Sequence, residues 1–288
     1  MTMSSPAAKP LARTPAAVRP LRVGSVSFLN AKPLIYGLDA APGVELSLEV
    51  PSRLLDGMRD GRYDVALLPV IDYQRMDGLR LLTAGGIGSD GATLTVRIFS
   101  PVPIDQITTL ACDTDSHTSV ALARVLFAET YGRHPAFVPL PPVGAADSSA
   151  AHPTTARLLI GDKVVSEEPQ NLPHQLDLGE AWKKLTGLPF VFAAWMARGG
   201  VDLRDLPQRL ERAKRDGLEH VDEIIARDAG PRGWPADVAR RYLTQHLQFD
   251  IGAPQLEAVR LFHALAHKHG VLPSPPRPLD VVPSPLNS

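Results

Sequence analysis

The residues of this chain best suited to chemistry are hydroxyl and amide side chains that follow an apolar, strand-like run. Residues 21–34 begin with that run, which breaks into the small polar residues Ser25, Ser27 and Asn30 and then into a segment led by Pro33. Side chains at the carboxyl ends of strands are where open α/β sheets hold small molecules. Because residues 21–34 contain no acid, Cys or His, we expect this segment to hold a ligand rather than to attack one.

A second polar group opens a predicted helix. Ser116 precedes an apolar stripe that repeats at helical spacing, and residues 131–132 end the pattern. Helix amino termini bind anions through free N–H groups and the helix dipole. We therefore expect Thr118 and Ser119, with their backbone, to bind a carboxylate. Ordinary N-capping by Ser116 is the alternative.

Other small polar residues lie where predicted elements begin or end. Ser89 follows a glycine-rich run, and Ser52 precedes a short helical pattern that it can cap. We expect Ser89 to converge with the polar residues that follow the first strand. For all of these side chains the alternative is local turn and cap chemistry. The remaining candidates for ligand contact are Gly161 and Asp162, which end the predicted strand 157–160, although Asp162 also suits a structural cap.

Composition limits the class of protein. The 288 residues are 44% hydrophobic and 21% charged, with a formal net charge of −1, so neither disorder nor a basic nucleic-acid surface is indicated. Cys112 is the only cysteine, which excludes an internal disulfide and suits a cytoplasmic protein. No apolar run reaches the ~18 residues of a membrane span. His263 and His267 share a predicted helical face, but no acidic motif accompanies them, so we predict no metal site.

The order of the predicted elements indicates a two-lobed α/β fold. Residues 21–96 and 197–272 form the first lobe and residues 97–196 the second, with a disordered tail at 1–20 and a loose, Pro-rich tail at 273–288. The strand-helix-strand order near the start predicts parallel pairing. Clefts between lobes are favoured ligand sites. The architecture resembles the type 2 periplasmic binding protein fold.

Six motifs, taken together and in their order along the chain, are similar to one enzyme family. Over residues 21–272 the chain resembles the chorismate dehydratases of the futalosine route to menaquinone. The family often has Arg where this chain has His117, and residues 141–155 resemble an insertion. The motifs are residues 26–34, residues 63–69, Ser89-Asp90-Gly91, residues 116–122, residues 159–162, and residues 177–182 with 186–192.

The resemblance implies a reaction without a cofactor, the removal of water from chorismate to give 3-[(1-carboxyvinyl)oxy]benzoate. We expect Asn30 and Ser89 to act on the reacting groups, and Ser27, Ser52, Ser116, His117, Thr118, Ser119, Gly161 and Asp162 to bind substrate. His117 is the one candidate base among the matched cleft motifs, and it departs from the family pattern. We therefore expect the enolpyruvyl carboxylate of the substrate to take the proton, with no partner besides the small-molecule substrate.

Two other functions remain open from sequence. A solute-binding protein of the same fold would capture a small carboxylate without changing it, and fold alone does not separate it from an enzyme. A sister enzyme of the same pathway is disfavoured because its Pro-Cys-Pro-Asn-like opening is not seen here. The motif set favours the dehydratase.

Overall fold

The structure is a computed structural model that describes residues 19–113, 116–140, 154–169 and 171–284. The described chain contains two mixed sheets. The first runs in the order β11-β4-β10-β3-β1-β2 and the second in the order β7-β6-β8-β5-β9. The first sheet comprises β1 (Leu21–Val26), β2 (Val44–Glu49), β3 (Val65–Pro69), β4 (Leu79–Ser89), β10 (Phe190–Arg198) and β11 (Val281–Val282); the second comprises β5 (Val96–Ser100), β6 (Thr109–Cys112), β7 (Ala136–Pro139), β8 (Thr155–Ile160) and β9 (His174–Asp177).

Strand pairing follows the chain order only in part. Strand β1 is parallel to both β2 and β3, as the predicted strand-helix-strand unit requires. Strand β10 is antiparallel to β3 and β4 and lies at the centre of the first sheet. The sequence places residues 190–196 in the second lobe, whereas their pairing assigns them to the first sheet. An apolar run shows that a strand is buried but not which sheet buries it.

Helices cover both sheets. They are α1 (Pro51–Arg59), α2 (His117–Tyr131), α3 (Lys163–Ser166), α4 (Leu178–Thr186), α5 (Leu206–Glu219), α6 (Val221–Asp228), α7 (Ala236–Arg241) and α8 (Ala253–Lys268). We call the first sheet with α1 and α5–α8 the first lobe, and the second sheet with α2–α4 the second lobe. A hydrophobic cluster that includes Leu29, Trp195 and Leu122 extends through both lobes.

The ends of two helices differ in how well the sequence predicts them. Helix α2 begins after Ser116, whose side chain accepts a hydrogen bond from the Ser119 N–H, and it ends at Gly132 with a φ of +60°. Helix α1 begins at Pro51, with Val50 as its N-cap residue, so the predicted cap at Ser52 is wrong. Proline suits the first helical position because its missing N–H has no partner there in any helix.

The carboxyl-terminal residues that the structure describes are not loose. Strand β11 pairs in parallel with β4, and the Ser284 N–H donates to the Thr83 hydroxyl at 2.8 Å. The Gln74 side chain bonds the backbone of Arg277 in both directions. Residues 277–284 therefore form an edge of the first lobe.

Candidate functional site

A cavity lies between the two lobes, where the first sheet faces the second. The space free of protein atoms there, counted together with the solvent at its mouth, is about 590 Å³. Among the described residues, no charged side chain lines this cavity. The polarity of these walls therefore comes from hydroxyl, amide and backbone groups.

The wall that the first lobe contributes is mainly apolar. It is formed by β1, β3, β4 and β10 and by the segment between α7 and α8, with side chains that include Val26, Leu67, Pro69, Ile87, Phe192 and Leu247. Parallel pairing brings the ends of β1 and β3 to the same edge of the sheet, and this is the position that polar residues after β1 are expected to occupy.

Asn30 is a polar group on that apolar wall. It lies in the 3-10 turn Leu29–Ala31, directly after β1, and its side chain lines the cavity. Its Oδ1 atom is buried and has no hydrogen-bond partner among the described residues. Because an unpaired buried acceptor costs free energy, such an atom at a cavity wall points to a bound donor. The predicted position of Asn30 at the site agrees with this geometry.

The second lobe contributes hydroxyl groups. Ser116 and Ser119 both line the cavity at the amino end of α2, and Gly161 lines it at the end of β8. The Ser116 hydroxyl donates to Ser119 Oγ at 2.8 Å and accepts from the Ser119 N–H at 3.1 Å. Ser116 thus caps the helix, as the structural alternative proposed, and also faces the cavity.

Two cavity residues that the sequence reasoning missed join the walls directly. Thr95, just before β5, and Tyr242 of the first lobe bond through their hydroxyls at 2.7 Å. Burial raises the pKa of Tyr242 and outweighs the opposing hydrogen bonds of Thr95 and Asn30, so this tyrosine stays neutral. Thr95 could have been found from the sequence, because it is a hydroxyl residue within an apolar, strand-like run. Tyr242 lies in a helical pattern that does not distinguish a site residue from a core residue.

A strained turn sets the position of Thr95. Leu94 has a φ of +68°, in the left-handed region that favours glycine. The Asp177 carboxylate accepts hydrogen bonds from the N–H groups of Thr93 and Leu94 at 3.0 Å and 2.8 Å. Such strain persists where surrounding contacts hold it, and it concentrates at functional sites. Asp177 therefore holds the turn that presents Thr95 to the cavity.

Several predicted site residues lie near the cavity without lining it. Ser89 is buried and its hydroxyl donates to the Gly91 carbonyl at 3.0 Å, so turn chemistry uses its side chain. The Ser27 carbonyl accepts from Arg232 at 3.1 Å. The Ser52 side chain lies outside the described part of the structure, although its neighbour Pro51 lines the cavity.

Thr118 and His117 connect α2 to the first lobe. The Thr118 hydroxyl is buried and accepts from the Ile71 N–H at 3.4 Å. His117 Nδ1 lies 2.8 Å from an oxygen of the buried Asp72 carboxylate, which Arg75 also bonds. Neither side chain lines the cavity, so the structure gives both residues a partner in the first lobe instead of a place on its walls.

Asp162 also reaches across to the first lobe. Its Oδ1 atom accepts from the indole N–H of Trp234 at 2.9 Å and from the Leu29 N–H at 3.4 Å. Burial raises the pKa of this carboxyl, against the hydrogen bonds of Trp234 and Leu29 and the nearby charge of Arg232. Asp162 thus lies beside the cavity, with its carboxylate directed at the first lobe.

The histidines of α8 are structural in the described chain. His263 is buried, with Nε2 2.9 Å from the Val70 carbonyl and Nδ1 3.0 Å from Gln74 Nε2. His267 Nδ1 lies 3.1 Å from the Leu272 carbonyl. The described residues contain no group of three or more His, Cys, Asp or Glu side chains placed to hold a metal ion. None of the described helices is long and apolar enough to cross a membrane.

The fold is that of the periplasmic binding proteins. The structure matches the alkanesulfonate-binding protein SsuA from Xanthomonas axonopodis pv. citri, bound to MOPS, with a TM-score of 0.66, 16% identity, and 93% of this chain and 100% of that chain covered. It matches a crystal structure of a protein from Archaeoglobus fulgidus with a TM-score of 0.69, 16% identity, and 89% and 100% covered. The predicted fold class is confirmed.

Sequence comparison identifies the family within that fold. A family model described as menaquinone biosynthesis matches residues 21–268, so the chain belongs to this family. A chorismate dehydratase from Thermus thermophilus is 28% identical to this chain over 244 residues, which are 78% of this chain and 88% of that protein. The family resemblance drawn from the six sequence motifs is confirmed.

Proposed function

We propose that this protein is a chorismate dehydratase, a carbon-oxygen lyase that removes water from chorismate to give 3-[(1-carboxyvinyl)oxy]benzoate. Its membership of the menaquinone biosynthesis family and its likeness to the Thermus thermophilus enzyme support the substrate. The observation that carries the proposal is the unpaired, buried Asn30 oxygen at the wall of an uncharged cavity between the lobes. A reaction that needs orientation more than an attacking group suits such a site.

The cavity has donors for an anionic substrate. Chorismate has two carboxylates, a hydroxyl at C4 and an enolpyruvyl ether at C3. One carboxylate lies at the amino end of α2, where Ser119 and Ser116 supply hydroxyls and the helix dipole favours negative charge. Thr95 and Tyr242 supply the next pair of hydroxyls, and the apolar wall of the first lobe packs against the ring.

The elimination requires the loss of the C3 proton and of the C4 hydroxyl. The enolpyruvyl carboxylate takes the proton from C3, the electron pair of that C–H bond forms the C3–C4 double bond, and the C4–O bond breaks. The proton passes from the enolpyruvyl carboxylic acid to the departing hydroxide, which leaves as water, so the carboxylate is regenerated and atoms and charge balance. None of the described lining residues has a carboxylate, imidazole or amine side chain that could take the C3 proton. The proposal therefore assigns the base to the substrate carboxylate.

Asn30 orients the reacting groups. Its amide both donates and accepts hydrogen bonds without charge, so the free Oδ1 can hold the C4 hydroxyl, while one N–H bonds Tyr242 and the other is left for the substrate carboxylate. Fixing both groups in one geometry lowers the barrier because little freedom is left to lose in the transition state. Ser89 has no direct part in this arrangement, because its hydroxyl donates to the Gly91 carbonyl. A cytoplasmic location stays a prediction.

The test is incubation of the purified protein with chorismate, followed by mass spectrometry. We expect the substrate to lose the mass of one water and to gain the ultraviolet absorbance of a benzoate, with heat-denatured protein as the control. If chorismate is unchanged but raises the Tm of the protein, the solute-binding function is correct instead. If chorismate neither reacts nor binds, the proposed substrate is wrong.

A further inference from the structure

We propose that Asp162 is a positioning residue, which fastens the second lobe to the turn that bears Asn30 and to the ring that supports Tyr242. The effect of Asp162 on turnover rests on the proposed function. The contact that Asp162 makes between the lobes is independent of that function. The sequence predicts that Asp162 contacts the substrate. The structure directs its carboxylate elsewhere, to three groups of the first lobe.

The first of these groups is the backbone of the Asn30 turn. The Leu29 N–H donates to Asp162 Oδ1 at 3.4 Å, and Leu29 directly precedes Asn30. The Leu29 side chain is fully buried, so the turn is held both by the packing of this side chain in the core and by the hydrogen bond of its N–H to the carboxylate. Because one backbone unit separates the bonded N–H from the Asn30 side chain, a shift of Asp162 also shifts the amide.

The second group is the Trp234 indole. Its N–H donates to Asp162 Oδ1 at 2.9 Å. The same ring stacks on Tyr242, with centroids 4.8 Å apart and planes 20° apart, and the Tyr242 hydroxyl bonds Thr95 in the cavity wall. Asp162 therefore fixes a ring that supports a second polar group of the site.

The third group is Arg232, whose Nε lies 3.6 Å from Asp162 Oδ2. Arg232 is itself anchored in the first lobe, where it donates to the Ser27 carbonyl and pairs with Asp228 at 3.1 Å. The carboxylate of Asp162 is thus paired with a cation that is bonded to the first lobe. Movement of the second lobe away from the first would separate the pair.

Local capping does not account for this carboxylate. Asp162 is the N-cap residue of α3, but its side chain makes no capping hydrogen bond to that helix. Gly161 before it has a φ of +60°, and a Cβ there would lie 3.3 Å from the Phe28 ring. Glycine at this position allows the backbone to come close to the first lobe and directs Asp162 into it.

The test combines amide hydrogen exchange with kinetics in Asp162→Ala, Asp162→Asn and Trp234→Phe. Exchange needs no substrate, so it reports on the contact even if the protein does not turn over chorismate. We expect Asp162→Ala to exchange the Leu29 N–H at least about 10-fold faster, because its acceptor is gone. Trp234→Phe keeps the ring on Tyr242 and the acceptor for Leu29, so it should leave that exchange rate unchanged.

Asp64→Asn is the matched control. Asp64 is a buried carboxylate just before β3, at the edge of the first sheet opposite the Asn30 turn, where Arg19 and Arg22 bond it. Burial alone would raise the pKa of Asp64, but these hydrogen bonds outweigh burial and hold it far below its usual range. The variant should lower the Tm without changing exchange at Leu29, which separates loss of a buried charge from loss of the contact between lobes.

In an active enzyme we expect kcat to fall by up to about 10²-fold in Asp162→Ala, with KM changed much less, because misplaced groups slow the chemical step more than binding. Asp162→Asn, which keeps an acceptor oxygen, should lose less. Leu29 exchange that stays at the wild-type rate in Asp162→Ala overturns the proposal. So does a large rise in KM with kcat unchanged, since that result means direct substrate contact. If wild-type protein leaves chorismate intact, the exchange result alone decides.

Discussion

The two walls of the cavity differ in what they supply. The first lobe gives an apolar surface with a single amide, Asn30, whose oxygen lacks a partner in the described structure. The second lobe gives hydroxyls that are already bonded, Ser116 to Ser119 within the lobe and Thr95 to Tyr242 across the cleft. The unsatisfied group is thus on the apolar side. This difference suggests that the first lobe acts on the reacting atoms and that the second binds charge.

The largest expected effect comes from Asn30→Ala. Loss of the amide removes the polar group of the first wall whose oxygen lacks a partner in the described structure, and loss of a single well-placed hydrogen-bonding group commonly costs about 10²- to 10³-fold in kcat. Steady-state rates with chorismate measure the effect. His117→Ala is the companion variant, and it should retain most of the turnover because His117 faces Asp72 and not the cavity. Abolition by the His117 change alone would contradict substrate-assisted elimination.

Thr95→Val tests the second wall. The substitution keeps the shape of the side chain but removes the hydroxyl that bonds Tyr242, so we expect kcat/KM to fall by about 10-fold, close to the worth of one neutral hydrogen bond. Thr95→Ser should recover most of the rate because the hydroxyl returns. A Thr95→Val enzyme with an unchanged KM and a kcat as low as that of Asn30→Ala would show that both walls act on the reacting atoms.

The pH dependence of stability should come from the first lobe and not from the cavity walls. Burial lowers the pKa of His263 from 6.5 to about 4, so the unfolded chain binds its proton at higher pH than the folded chain. Stability present above pH 6.5 is therefore lost as the pH falls toward 4, by about 3 kcal/mol for this group. Urea unfolding between pH 7 and 4.5 measures the slope. His263→Gln should have a shallower slope, and an identical one would show that other groups cause the loss.

The smallest effect concerns Cys112 in the second lobe. Burial raises the pKa of its thiol to about 12, and Sγ lies against the Leu110 carbonyl. Because the thiolate is the reactive form, folded protein should resist iodoacetamide at pH 8 and react only when urea unfolds it. Activity should not change on treatment. Rapid labelling of native protein would show that the second lobe exposes Cys112 without global unfolding.

The sequence was sufficient for the elements that depend on local pattern. Helix α2 with its cap and its glycine end, the β1–β3 unit and the position of Asn30 all follow from periodicity and turn chemistry between near neighbours. The pairing of Thr95 with Tyr242, 147 positions apart, depends on how the lobes close, and no local pattern encodes that. The same reason explains why Asp162 reads as a ligand contact in the sequence but bonds the first lobe. It also explains why the sequence predicts residues 190–196 in the second lobe, whereas β10 pairs with β3 and β4 in the first sheet.

The strand at the carboxyl terminus has a practical consequence for handling the protein. By pairing with β4, Val281 and Val282 occupy backbone groups that would otherwise form an open sheet edge, and open edges recruit strands from other molecules. A chain shortened before Arg277 would leave those groups free. We expect such a truncation to self-associate in solution, so purification tags belong at the other end of the chain.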